Sequence, residues 1–249
     1  LLEEYDEMGP SPLVPQARHQ AEMLETELVS RGYDVETYNG MQYTEPFIRE
    51  AVEEARDDGV EKLIGIPVYP LCGRTTTVES LEFLSEEVEE MGWDVSYQEI
   101  TGWHEHPKYV ELRTDNLRSY VESEGIDLND DEATLLFSAH GTPIKYLREG
   151  SRYDEYVEEF CSWVADDVGV EDYLIGYQNH ANRDDVDWTQ PETEEVVEEV
   201  EGDRVVVEPL SFMHEQSETL SELDIELREE CEEMGLEMHR VPVPHDDPR

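Results

Sequence analysis

Cations are scarce in this sequence. Against 65 aspartates and glutamates stand 17 lysines and arginines, a formal charge of −48, and the lysines are Lys62, Lys108 and Lys145 alone. Such a chain lacks the clustered Lys and Arg that nucleic-acid phosphates or anionic lipid headgroups require. No apolar run approaches the ~18 residues of a membrane span, and the first residues carry no basic-then-apolar export signal. Cysteine is sparse as well: Cys72, Cys161 and Cys231 are far apart and form no C-x-x-C pair. That excludes a zinc knuckle or dithiol redox motif and suits a reducing cytoplasm. The GxxxxGK[ST] loop, a GxGxxG after a strand and the GxSxG elbow are all missing, so nucleotide hydrolysis, dinucleotide binding and the common α/β hydrolase chemistry lose support. What remains is imidazole and carboxylate chemistry: metal binding, proton transfer, or both.

The acid is spread along the whole chain, as at 86–90 and 194–201, rather than gathered into a tail. This describes a solvated surface rather than an interaction arm. Self-repulsion on that scale opposes compaction in dilute buffer and is screened at high salt. The expectation is a halophilic protein that loses structure at low ionic strength. Hydrophobic residues at 37% still suffice for a core.

Helical and strand patterns alternate. Residues 16–30 have helical spacing and stop at Gly32; 34–38 reads as a strand; Pro46 opens a helix to about 55. The apolar run 62–69, closed by Pro70, fits a buried parallel strand. A helix at 77–91, a strand at 94–98 and a helix at 106–124 follow. The second half continues with strands at 133–138, 173–177, 204–208 and 237–241 and helices at 153–167, 191–200 and 217–234. Residues 1–8 also look helical. Strands separated by helices mean βαβ units and parallel sheets. The expected architecture is α/β: two similar open parallel-sheet, Rossmann-like lobes, 1–105 and 106–249, with the active cleft between them.

In such folds ligands sit beyond the carboxyl ends of the strands. Tyr69-Pro70, His140-Gly141 and the segment 212–220 occupy those positions. Position alone leaves His140 evenly balanced between a functional role and a loop hydrogen bond. Glu218, Glu222 and Glu226 recur at i, i+4, i+8, one stripe of a helix. In so acidic a chain that ladder is expected from composition, although like charges at this spacing weaken a helix unless something offsets them. His214 stands four before Glu218, which would bring both to one metal if the turn were helical.

These residues in this order resemble the ferrochelatase family, which inserts iron(II) into porphyrins. Phe137-Ser138-Ala139-His140-Gly141-Thr142-Pro143 is similar to the family's FSAHGLP, and Gly150-Ser151-Arg152-Tyr153 stands where the family has GDPY. Tyr177-Gln178 and Trp188…Pro191 resemble QSxxG…WLxP, and 212–226 resembles FxxDHxETLxEID. Earlier, Gly9-Pro10-Ser11-Pro12-Leu13, Met41-Gln42-Tyr43…Pro46 and Pro67-Val68-Tyr69-Pro70 with Thr76-Thr77 are similar to GGGSPL, MRYxxP and PLYPxxxxxTT. Each fragment is ordinary; their collinearity over the chain is specific.

The resemblance implies the chelatase fold, a metal-chelatase (lyase) activity in heme biosynthesis, and a porphyrin held in the cleft. Carried over by position, His140 and Glu218 are the catalytic pair; His140, Glu218, Glu222 and Glu226, with His214 added from its spacing, form the metal path. Ser11, Tyr43, Tyr69, Pro70, Ser138, Gln178 and Trp188 are the porphyrin-binding set. Ferrous iron is then a substrate; no permanently bound cofactor and no iron–sulfur cluster are expected. The partners are porphyrin and ferrous iron, with no nucleic acid; oligomeric state and peripheral membrane contact stay open. The chain departs from the pattern at Gln216, where the family has a second histidine, and at Gln42, where it has arginine. It starts at Leu1, so the first strand of the first lobe is expected to be absent; a longer parent chain and a degenerate relative both fit. Two rival functions remain: a cobalt or nickel chelatase of the same fold, and a non-catalytic tetrapyrrole- or metal-binding relative.

Overall fold

The computed structural model describes residues 9–178 and 186–249. The helical reading of 1–8 lies outside the described residues, as do residues 179–185 of the segment compared with QSxxG…WLxP. The first half comprises α1 (Leu13–Ser30), α2 (Ile48–Asp57), β1 (Lys62–Gly65), a π-helical turn (Arg74–Val78) running into α3 (Glu79–Glu90), and β2 (Ser96–Glu99). A short 3-10 turn (Trp103–Glu105) leads to α4 (Pro107–Glu124). Then come β3 (Ala133–His140), α5 (Ile144–Arg148), α6 (Tyr153–Val168), β4 (Tyr173–Gln178), α7 (Thr193–Val197) and β5 (Arg204–Pro209). α8 (Ser217–Leu220), a second π-turn (Glu222–Leu227), α9 (Arg228–Met234) and β6 (Glu237–Arg240) complete the order.

Two parallel sheets are formed among these residues. β1 pairs with β2, and the larger sheet has the order β4-β3-β5-β6. Both faces of the larger sheet are covered, as βαβ crossovers require. Leu135, Phe137, Ala139 and Val206 pack with α4 and α6 around Leu117, Val157 and Phe160. Leu136, Val205 and Val207 pack on the opposite face with Val196, Leu223, Leu227 and Cys231. The α/β fold with parallel sheets is therefore as the periodicity predicts.

Three local expectations need correction. Residues 34–38 form no strand; Thr37 instead turns inward, its N–H and hydroxyl donating to Glu25 Oε2 on α1 at 2.8 and 3.0 Å. β1 stops at Gly65 rather than Tyr69, because Pro67 has no N–H for the ladder; the chain beyond is steadied by Trp103 Nε1, which donates to the Pro67 carbonyl at 3.0 Å. The expected single helix over 217–234 is broken into α8, the π-turn and α9, with i→i+5 bonding from Glu226 N–H to the Ser221 carbonyl at 3.0 Å.

Candidate active site

β3 brings Ser138 and His140 to its carboxyl end. Its alternation sends Leu135, Phe137 and Ala139 to one face and Ser138 and His140 to the other. The parallel register sets His140 beside Gln178 and Ser138 beside Gly176. Ser138 Oγ donates to Gln178 Oε1 at 3.0 Å and lies 3.0 Å from Thr193 Oγ1. That approach needs glycine at 176: a Cβ there would stand 2.7 Å from the Thr193 Cα. The other end of the Gln178 amide donates to the Glu218 carbonyl at 2.7 Å and to Glu222 Oε2 at 2.8 Å. One buried glutamine thus ties the strand that bears His140 to the helix that bears the carboxylates.

His140 is held through its main chain, its N–H donating to Ser211 Oγ at 3.0 Å, and Phe212 stands edge-on to its ring at 6.2 Å. Ser217 Oγ donates to Glu218 Oε2 at 2.8 Å, and Ser221 Oγ to Glu226 Oε1 at 3.3 Å. The π-turn is clamped by Arg240, which bonds Asp224 Oδ2 at 2.5 Å and Glu215 Oε1 at 2.7 Å. Burial, then the charge of Glu218, pushes the Glu222 carboxyl up to about 8 against the Gln178 hydrogen bond, with Glu226 and Glu194 adding repulsion. Glu222 is therefore largely protonated near neutrality while sharing an environment with Glu218 and Glu226. Glu194 and Glu230 are also raised, first by burial and then by neighbouring carboxylates that include Glu226. The acidic stripe is a set of electrically coupled groups rather than independent surface charges.

The first half meets this site through polar contacts. Gln16 Oε1 on α1 accepts from the Glu215 N–H at 2.8 Å, and Gln20 reaches the Met213 carbonyl at 3.4 Å. Tyr69 is half-buried with its hydroxyl 3.5 Å from Gln42 Oε1. Burial and then the charge of Glu218 push its phenol up to about 12. Pro70 is buried and its carbonyl accepts from the His104 N–H at 3.3 Å and faces His104 Nδ1 at 3.2 Å. Tyr43 is 76% exposed and donates to Glu79 Oε2 at 3.0 Å. Ser11 precedes α1, its Oγ accepting from the Leu13 N–H at 3.3 Å. Trp188 bridges Pro143 in the loop after β3, with its indole N–H buried and unpartnered among the described residues.

His214 requires a correction. Helix α8 begins at Ser217 and Gln216 is fully extended, so the spacing from His214 to Glu218 is not helical. The buried imidazole lies 2.8 Å from Gln20 Oε1, which places its proton on Nε2, and burial pulls it down to about 4. The geometric ground for pairing it with Glu218 is absent. Among the described residues no group of three or more His, Cys, Asp or Glu side chains is gathered as a metal site.

The ferrochelatase family model matches residues 1–249. The chain belongs to the ferrochelatase family. It is 36% identical over 252 residues to a ferrochelatase of Picosynechococcus sp., covering 97% of this chain and 64% of that protein. It is 35% identical over 248 residues to a ferrochelatase of Synechocystis sp., covering 94% of this chain and 62% of that one. The chain thus spans less than two thirds of these relatives' length. Among solved structures, SirB from Bacillus subtilis with Fe3+ aligns at a TM-score of 0.57 and 13% identity, over 92% of this chain and 84% of that one. A SirB complex with cobalt aligns equally well at 12% identity, over 92% and 83%. At such identities the likeness is one of fold.

Two supporting residues, Thr193 and Ser211, stand outside the family's motifs. Thr193 completes the Ser138–Gln178 cluster, Ser211 holds the His140 N–H, and Tyr153 lies 2.9 Å from the Ser211 hydroxyl. Nothing in their spacing marks Thr193 or Ser211. Arg113 did leave a signal: it falls on the apolar stripe of α4 with Tyr109 and Leu117. No helix among the described residues is long and apolar enough to cross a membrane.

Proposed function

We propose that this member of the ferrochelatase family inserts ferrous iron into a porphyrin, protoporphyrin or coproporphyrin, in a cleft between lobes 1–105 and 106–249. The observation that carries the reading is the grouping of His140, Gln178, Glu218 and Glu222 at the carboxyl end of the larger sheet. Insertion replaces two pyrrole N–H protons by Fe2+, so the site must accept two protons while a cation arrives. A neutral imidazole is suited to accept a pyrrole proton near neutral pH, and His140 takes that role. Glu218, whose carbonyl Gln178 holds, serves as the second acceptor and transient iron ligand. Glu222, carrying a proton near neutrality, exchanges that proton for iron passing along the stripe through Glu226, whose carboxylate offers oxygen without binding Fe2+ as tightly as a closed set of ligands would.

Ser11, Tyr43, Tyr69, Pro70, Ser138 and Trp188 form or brace the porphyrin walls in this reading. Iron is substrate, with no resident cofactor and no iron–sulfur cluster, and the setting is a salt-rich, reducing cytoplasm. The test is anaerobic incubation of porphyrin and Fe2+ with the protein in molar potassium chloride. The expected result is loss of porphyrin fluorescence with growth of the heme spectrum at a rate proportional to enzyme. A Soret shift with no insertion over hours would instead indicate a carrier. Co2+ or Ni2+ inserted faster than Fe2+ would move the assignment to another chelatase.

A further inference from the structure

The most enclosed ion pair among the described residues lies outside the carboxylate stripe, yet its contacts lead into the site. Arg113 on α4 and Glu208 on β5 are both fully buried and bonded to one another. Enclosing two charges is favourable only when further hydrogen bonds satisfy them, and a packed apolar pair would hold a helix to a sheet at least as well. Here the further bonds go to main chain where β5 leaves the sheet: Arg113 Nη2 donates to the Pro209 carbonyl and Nη1 to the Phe212 carbonyl, each at 2.9 Å. These carbonyls bracket Ser211. Just inside the bracket, the Leu210 N–H makes the last main-chain rung to the Ser138 carbonyl at 2.8 Å. The next rung is made by a side chain, the His140 N–H donating to Ser211 Oγ at 3.0 Å, with the Tyr153 hydroxyl 2.9 Å from the same oxygen.

We infer that Arg113, paired with Glu208, is a positioning residue for His140: its planar fork fixes the carbonyls on either side of Ser211, and Ser211 in turn fixes the strand end that carries the imidazole. A purely cohesive pair would join α4 to β5 and stop at Glu208. Arg113 reaches four residues further along the chain, to Phe212, whose ring borders His140. Lysine offers a point charge without the fork and cannot serve both carbonyls and the carboxylate in one plane. The role of His140 rests on the proposed function; its placement by Arg113 does not.

The test uses the full chain in molar potassium chloride. R113M/E208L removes both charges without leaving one unpaired, R113K keeps the charge but loses the fork, and S211A leaves the buried pair intact. Amide hydrogen exchange at 140 is compared with that at 135–137, alongside kcat and the porphyrin KM. In all three variants exchange at 140 is expected to accelerate at least about tenfold relative to 135–137. kcat should fall about tenfold or more with KM within about twofold, the signature of lost placement rather than lost binding. If exchange at 140 and kcat both hold at wild-type values in folded R113K, the inference is overturned, and R113K alone decides should the double variant fail to fold. Wild-type protein that inserts no metal would remove the functional reading, while the exchange comparison would still judge the positioning.

Discussion

Along β3 the side chains of Leu135, Leu136, Phe137 and Ala139 have no solvent exposure, whereas along β1 and its continuation Ile64, Ile66 and Val68 are 43%, 44% and 38% exposed. The four-stranded sheet is sealed on both faces and ends in the cluster of His140, Gln178 and Glu222. The two-stranded sheet is open, and its half of the molecule meets the candidate site through Gln16 and Gln20 on α1, which bond Glu215 and Met213. Local stability follows buried apolar contact. The contrast sets a firm wall, the sheet that bears His140 and Gln178, against a yielding wall with less apolar burial; in the proposed function the yielding one would give a flat macrocycle room to enter.

The sharpest way to break this comparison is at the firm wall. His140→Ala should lower insertion at least about a hundredfold, the low end of what a positioned acid–base group contributes, with the melting temperature in high salt unchanged. Near-normal turnover in that variant would remove the firm wall's claim to the chemistry. Next, dilution from molar to millimolar salt should expose the amides of residues 9–105 to exchange before those of β3 and β5, since repulsion is unscreened everywhere but opposed by less burial in the first half. Simultaneous loss in both halves would show that they unfold as one.

Gly176→Ala drives a methyl group against the Thr193 main chain. It should cost about 1–3 kcal/mol by overpacking and loosen the Ser138–Thr193–Gln178 cluster, measured by denaturant unfolding and by turnover together. Glu222→Gln probes the electrostatics. The folded carboxyl holds its proton up to about pH 8 against an ordinary value of 4.5. Folding is therefore helped by this group below pH 4.5, and the help is lost as pH rises through 8. The variant should melt higher than wild type at about pH 9 and equally at about pH 5, while inserting iron more slowly; equal melting at both would show Glu222 ionising normally. The smallest effect belongs to the yielding wall: Ile64→Thr, at an exposed position, should change stability within about 0.5 kcal/mol.

Much of the fold is legible because burial imposes a period on the residues. Residues 135–137 are a continuous apolar run because β3 is covered on both faces, and the glycines at 169 and 235 stop helices as left-handed caps. The carboxylate stripe is legible for a less direct reason, since spacings of four keep groups on one side in both α- and π-helical turns. The π-turn itself is invisible, because an extra residue per turn leaves no mark in composition. Residues 34–38 alternate like a strand yet have no partner strand among the described residues, and pairing is not a local property. His214 stands four before Glu218, but the extended backbone at Gln216 that separates them leaves no mark in the spacing. Glu208 is hidden differently: in a chain with 65 acidic residues a buried glutamate looks like all the others.

The π-turn at Glu222–Leu227 acts as a phase shifter. One extra residue in a single turn rotates everything downstream by about 100° relative to an uninterrupted α-helix. Upstream, the angular setting answers to Gln178, which grips Glu222; downstream, it answers to Leu227 and Cys231, which must meet the sheet. The two requirements are out of step, and the widened turn absorbs the mismatch. Removing one residue there would leave a more regular helix that could satisfy either the Gln178–Glu222 contact or the hydrophobic seat, but not both.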